Sequence, residues 1–169
     1  MSKIAVRGLL ILLLVVSLGC SGGGTQAGYE APEFQLENLE GNEVSLKENK
    51  GSVVVIDFWA TWCPPCLMSI PELVEVQKNY KDKGVIVFGI SVDQSDQVSR
   101  EDLLAFKDKL HINYTILRAN SQVMMDYFGG NTEQVAIPTL FVVDKMGRIR
   151  DKLVGYNPGK LEKSLQKLL

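Results

Sequence analysis

Val53-Val54-Val55-Ile56-Asp57-Phe58-Trp59-Ala60-Thr61-Trp62-Cys63-Pro64-Pro65-Cys66 is the stretch on which the fold turns. Residues 53–58 are β-branched or aromatic with one interruption at Asp57, the composition of a strand covered on both faces, and such a strand belongs in mid-sheet. Beyond Cys66 the period changes to 3.6: Leu67, Ile70, Leu73, Val74, Gln77 and Tyr80 share one helical stripe, and Gly84 ends it. Pro71 falls inside that helix and predicts a kink. A second buried strand over 85–92 and an amphipathic helix over 101–110 follow, giving a β-α-β order.

Further out, residues 140–143 and 149–154 read as two strands joined by Asp144-Lys145-Met146-Gly147, an antiparallel hairpin. Pro158 opens a last helix running to Leu169, with Leu161, Leu165, Leu168 and Leu169 turned inward. Toward the N-terminus, Phe34-Gln35-Leu36 and Val44-Ser45-Leu46 flank the turn-forming Glu40-Gly41-Asn42, which predicts a β-hairpin extension. The sum is an α/β fold, a mixed central sheet flanked by helices, in one domain spanning 29–169.

The formal charge of -2, from 18 basic and 20 acidic residues spread along the chain, offers no electrostatic footprint for nucleic acid. The first residues differ from the rest. Lys3 and Arg7 precede an apolar run from Leu9 to Leu18, too short to cross a bilayer core of about 30 Å but suited to a signal peptide. The run closes on Ser17-Leu18-Gly19-Cys20, which resembles the site at which bacterial lipoproteins are cleaved and acylated. The expected organisation is a signal peptide over 1–19, a lipid anchor on Cys20, and a flexible Gly-rich tether over 20–28. An uncleaved signal anchor and ordinary cleavage are the alternatives, and all three carry the domain out of the cytoplasm.

Cys63 and Cys66 stand three apart where a buried strand gives way to a helix. At a helix start, unsatisfied amides and the positive end of the dipole favour a thiolate. A free thiol with a pKa of about 8.5 is a few per cent ionised at pH 7, and a fall to about 7 raises that fraction roughly tenfold. Cys63, the outer sulfur, is the expected nucleophile. Cys66, one turn deeper, is placed to attack a mixed disulfide and release product. Pro64 and Pro65 occupy first-turn positions whose amides would be unbonded anyway, and they stiffen the loop. A structural disulfide is the bland alternative, but two flanking tryptophans and a strand-to-helix placement are more than a staple needs. A zinc site would need two further ligands, and the chain offers only Cys20 and the single His111; haem attachment would need a histidine where Leu67 stands.

The segment Asp57–Cys66, Pro71, and Ile137-Pro138-Thr139 resemble signatures of the thioredoxin superfamily, and the N-terminal hairpin, export signal and long insert are similar to its TlpA/ResA-like branch. The resemblance covers the chain from about Tyr29 onward. It implies a thioredoxin-like fold and an anchored thiol–disulfide oxidoreductase that needs no cofactor beyond its own Cys63–Cys66 disulfide. The implied partners are exported thiol proteins, apocytochrome c among them, and an integral membrane electron donor of the DsbD/CcdA type.

Carried over by position, Pro138 is the superfamily's cis-proline, leaving the backbone of Ile137 free to pair with an extended substrate, and Asp57 is the buried carboxyl that moves protons for the inner cysteine. The departures are Gly89, where a lysine partner for Asp57 would fall, and Ser69, where many cytochrome-maturation members carry Glu. Trp62 is expected at the surface as a partner platform beside Pro64 and Pro65, and Trp59 in the core. Met124, Met125, Tyr127 and Phe128 are read first as core. Two other functions compete: a peroxiredoxin-like thiol peroxidase, which usually has Thr where Ala60 stands, and a copper-delivery module, poorly served by one histidine.

Overall fold

The computed structural model describes residues 28–129 and 135–169. The expected signal peptide, Cys20 and the tether up to residue 27 lie outside the described residues. Six strands form one sheet in the order β1 (Tyr29–Glu30), β8 (Arg148–Val154), β7 (Thr139–Val143), β4 (Val53–Trp59), β5 (Val85–Ser91), β6 (Thr115–Arg118), and β2 (Gln35–Glu37) and β3 (Glu43–Ser45) pair separately. At the centre is β4 (Val53–Trp59), every residue buried, parallel to β5 (Val85–Ser91) and antiparallel to β7 (Thr139–Val143). The apolar run, broken only at Asp57, is the chemical consequence of that place, because layers cover both faces.

Side chains alternate along β4. Val53, Val55 and Trp59 enter a cluster with Ile70, Leu73 and Val76 of α1 (Pro64–Tyr80), Leu103 of α2 (Arg100–Lys109), and Leu161 and Leu165 of α4 (Lys160–Leu165). Val54, Ile56 and Phe58 enter a second cluster, with Leu36 of the hairpin β2 (Gln35–Glu37) and β3 (Glu43–Ser45), and with Val123 and Tyr127 of α3 (Ser121–Phe128). That second layer is rich in aromatic edges: Phe58 lies 4.9 Å from Phe128 and 5.9 Å from Phe141, both nearly perpendicular.

The α1 stripe needs adjustment. Leu67 is on the exposed side, and Cys66, Ile70, Leu73 and Val76 make the buried edge. Buried Gln77 is satisfied by accepting the Val87 N–H at 2.8 Å, which closes the part of β5 that β6 does not reach. Pro71 sits within α1, which continues to Tyr80.

Two strands and a helix were not expected: β1 (Tyr29–Glu30), paired with β8 (Arg148–Val154); β6 (Thr115–Arg118), parallel to β5 at the sheet's edge; and α3. The last helix is shorter than its leucine spacing suggests. Gly159, with φ of 72°, sets its start after Pro158, α4 ends at Leu165, and Leu169 is exposed. Among the described residues no helix is long and apolar enough to cross a membrane.

Candidate active site

Cys63 caps the N-terminus of α1 with its own sulfur, which accepts the Cys66 N–H at 3.3 Å. The sequence explains why that amide is the one available. Pro64 and Pro65 fill the first two helical positions and carry no N–H, so the first free donor of the helix belongs to Cys66. In the dithiol state this donor and the helix dipole both favour negative charge on Cys63. Cys63 and Cys66 are joined as a disulfide across 5.2 Å between Cα atoms. Cys63 is 3% exposed and Cys66 0%, so both are largely covered and the inner one completely.

The loop that delivers Cys63 is held from below by Asp93, just after β5. Its carboxylate accepts the Thr61 N–H at 3.1 and 3.2 Å, the Thr61 hydroxyl at 2.8 Å and the Ser91 hydroxyl at 2.8 Å. Thr61 immediately precedes Trp62, whose ring is 66% exposed, whereas Trp59 is buried against Phe106 at 5.3 Å. Pro64, Pro65, Leu67 and Met68, next to the two cysteines in sequence, are exposed as well.

From the far side of the chain, the Ile137–Pro138 peptide bond is cis, and the Ile137 carbonyl oxygen lies 3.7 Å from Cys63 Sγ. Pro138 itself is buried and Ile137 partly so. The fold thus brings Trp62, Cys63, Pro64, Pro65, Ile137 and Pro138 together from segments 74 residues apart in sequence.

Asp57 points from β4 to the face that carries α1, between its register partners Gly89 and Leu140. It is wholly buried, neither carboxyl oxygen has a protein hydrogen-bond partner, and desolvation pushes its pKa up to about 7. The register with Gly89 accounts for the missing cation: no side chain arises there. Ser69 is buried on α1 and donates its hydroxyl to the Cys66 carbonyl at 2.8 Å. Met124 and Phe128 pack on the second cluster with buried Tyr127, as core residues, and Met125 is exposed. His111 is exposed, with φ of 52°, at the end of α2. Among the described residues no group of three or more His, Cys, Asp or Glu side chains could hold a metal ion.

Asp93 supports the site without a sequence signal of its own. Asp93 follows a buried strand as many turn residues do, and its partner Thr61 is 32 positions away, so no local signal marks it.

Residues 27–152 match the AhpC/TSA family. The thioredoxin-like protein YneN of Bacillus subtilis is 32% identical over 163 residues, 92% of each chain. The thiol-disulfide oxidoreductase ResA of Bacillus thuringiensis is 31% identical over 130 residues, 77% of this chain and 70% of the relative. Among solved structures, a thiol:disulfide interchange protein of the thioredoxin family from Chlorobium tepidum superposes with a TM-score of 0.73 at 26% identity, covering 84% of this chain and 97% of the other. The thioredoxin domain of a thiol-disulfide oxidoreductase from Bacteroides vulgatus gives 0.70 at 27% identity, with 83% and 95% covered. A helix-capping Cys63–Cys66 pair on this fold, together with these likenesses, identifies the chain as a member of the AhpC/TSA family, a thioredoxin-like protein of the thiol–disulfide oxidoreductase kind.

Proposed function

We propose that this protein is an exported, membrane-tethered disulfide reductase that acts on extracytoplasmic proteins through Cys63 and Cys66. The observation that carries the reading is the Cys63 sulfur at the N-terminus of α1, facing the Ile137 carbonyl, with exposed Trp62 next to it in sequence. An extended substrate pairs with the backbone at Ile137 and rests on Trp62, Pro64 and Pro65. The Cys63 thiolate attacks one substrate sulfur; the substrate S–S bond breaks, one substrate thiolate leaves, and a mixed disulfide forms. Cys66 gives its proton to Asp57 and attacks the Cys63 sulfur, which releases the second substrate thiolate and closes the Cys63–Cys66 disulfide. Two electrons have passed to the substrate. A membrane dithiol donor of the DsbD/CcdA type returns two electrons and two protons.

The leader residues Lys3, Arg7 and Leu9–Leu18, ending at Gly19-Cys20, support export and a lipid anchor on Cys20. Apocytochrome c, whose haem-binding cysteines must be reduced, is the substrate class the resemblance favours.

Equilibrating the soluble domain against glutathione or dithiothreitol buffers tests the direction of electron flow. A reduction potential near or below about -250 mV is the expected result, and one near about -120 mV would make the protein an oxidant and end the reductase reading. Fractionation tests the anchor: the full chain is expected with membranes, and Cys20→Ala in the soluble extract. Peroxide turnover that depends on Cys63 alone would move the assignment to a thiol peroxidase.

A further inference from the structure

Among the described residues four buried side-chain polar atoms have no protein partner, both Asp57 oxygens, Trp59 Nε1 and the Tyr114 hydroxyl, and their residues border Gly89. Glycine in a strand interior marks a close approach by other groups, and a Cβ built there would lie 2.9 Å from Tyr114 Cε2 and 3.0 Å from Trp59 Nε1. Two aromatic rings therefore fill the room a side chain at 89 would take, and Asp57 is the register partner of that residue on the neighbouring strand, about 4.8 Å away. The chemistry of the set is matched. An ionised carboxylate only accepts hydrogen bonds, the indole N–H only donates, and the phenol can donate.

We propose that Tyr114, with Trp59, is a positioning residue for the Asp57 proton: their N–H and O–H groups, grouped about Gly89, stabilise the carboxylate through an ordered water, in place of a cation. The proposal rests on the proton role given to Asp57 above. The cluster into which Asp57 points offers few competitors. Among its titratable members α1 presents Cys66, with Tyr80 at the margin; Cys63 caps that helix; the segment before β6 presents Tyr114; and β5, β7 and α2 contribute glycine and apolar residues. Burial alone acts on Asp57, while burial first and the neighbouring Asp57 charge second raise the Tyr114 pKa.

The test is Tyr114→Phe, which keeps the ring and removes the hydroxyl, read by NMR titration of the Asp57 carboxyl carbon in the dithiol protein. The expected result is a higher midpoint, with the acid dissociation constant falling about tenfold, one pH unit, and an equal shift in the pH profile of mixed-disulfide resolution. A midpoint that stays put in a folded variant overturns the proposal. Gly89→Ala gives a second reading, because it displaces the same two rings and is expected to move the midpoint in the same direction. The two levels separate cleanly: a shifted midpoint in a protein without disulfide turnover would sink the functional reading alone, and normal turnover with an unmoved midpoint would sink this proposal alone.

Discussion

Asp57, inside the sheet beneath α1, and Asp93, under the loop that leads into it, are both buried but meet opposite surroundings. Asp93 collects two hydroxyl donors and an amide, and its charge is spent on holding Thr61 and Ser91 in place. Asp57 has no protein partner at all, and its carboxyl stays protonated to about pH 7. A satisfied buried carboxylate builds geometry. An unsatisfied one costs stability when ionised and exchanges its proton near neutrality, so that its carboxylate can take the proton a resolving thiol must lose.

That contrast breaks or sharpens under substitution, the largest effect coming from Asp57. The folded protein holds the Asp57 proton up to about pH 7, whereas the unfolded chain releases it near 3.8. Stability from this group is therefore complete below pH 3.8 and is lost as pH rises toward 7. In the disulfide form, Asp57→Asn removes that loss, so the variant gains on the wild type across the window by up to about 4 kcal/mol, measured by urea unfolding at several pH values. A constant gap would mean that Asp57 is ionised in the fold and the contrast false.

Asp93→Ala follows, with a loss of about 3 kcal/mol because three donors lose their acceptor. Thermal unfolding is expected to fall by roughly 10 °C, and disulfide turnover to fall with it as the loop before Cys63 loosens. Asp93→Asn, which keeps one acceptor oxygen, should cost about half. Gly89→Ala is expected to cost about 2 kcal/mol by overpacking against Tyr114 and Trp59. Smallest in stability is Trp62→Ala, within about 0.5 kcal/mol for so exposed a side chain, yet it should raise KM for protein disulfides more than it lowers kcat. A stability loss as large as that of Asp93→Ala would show that Trp62 belongs to the loop's support.

What the sequence made legible follows the same division. Residues 53–59 announce a central strand because burial on both faces favours an apolar run, broken here only at Asp57, and the hairpins announce themselves through turn residues. The strand Thr115–Arg118 is short and polar at both ends and Tyr29–Glu30 is an exposed pair, so neither carries a clear period, while Ser121–Phe128 repeats its apolar residues at helical spacing over only two turns. The leucines after Leu165 keep helical spacing although the helix has ended. At the site, the cysteines, prolines and Asp57 stand in one local run and were legible there. The lone carboxyl in an apolar strand is itself the signal. Asp93 and Tyr114 acquire their places only through pairing of β4, β5 and β6, which no local pattern encodes.

The division of labour between the two sulfurs is tested most directly by trapping. Reduced Cys66→Ser and Cys63→Ser variants are each mixed with a disulfide-bonded protein substrate, and the products are resolved by non-reducing electrophoresis and mass spectrometry. The account predicts that Cys66→Ser accumulates one mixed disulfide, through Cys63, and that Cys63→Ser accumulates none. Equal trapping by both variants, or trapping through Cys66 alone, would contradict it.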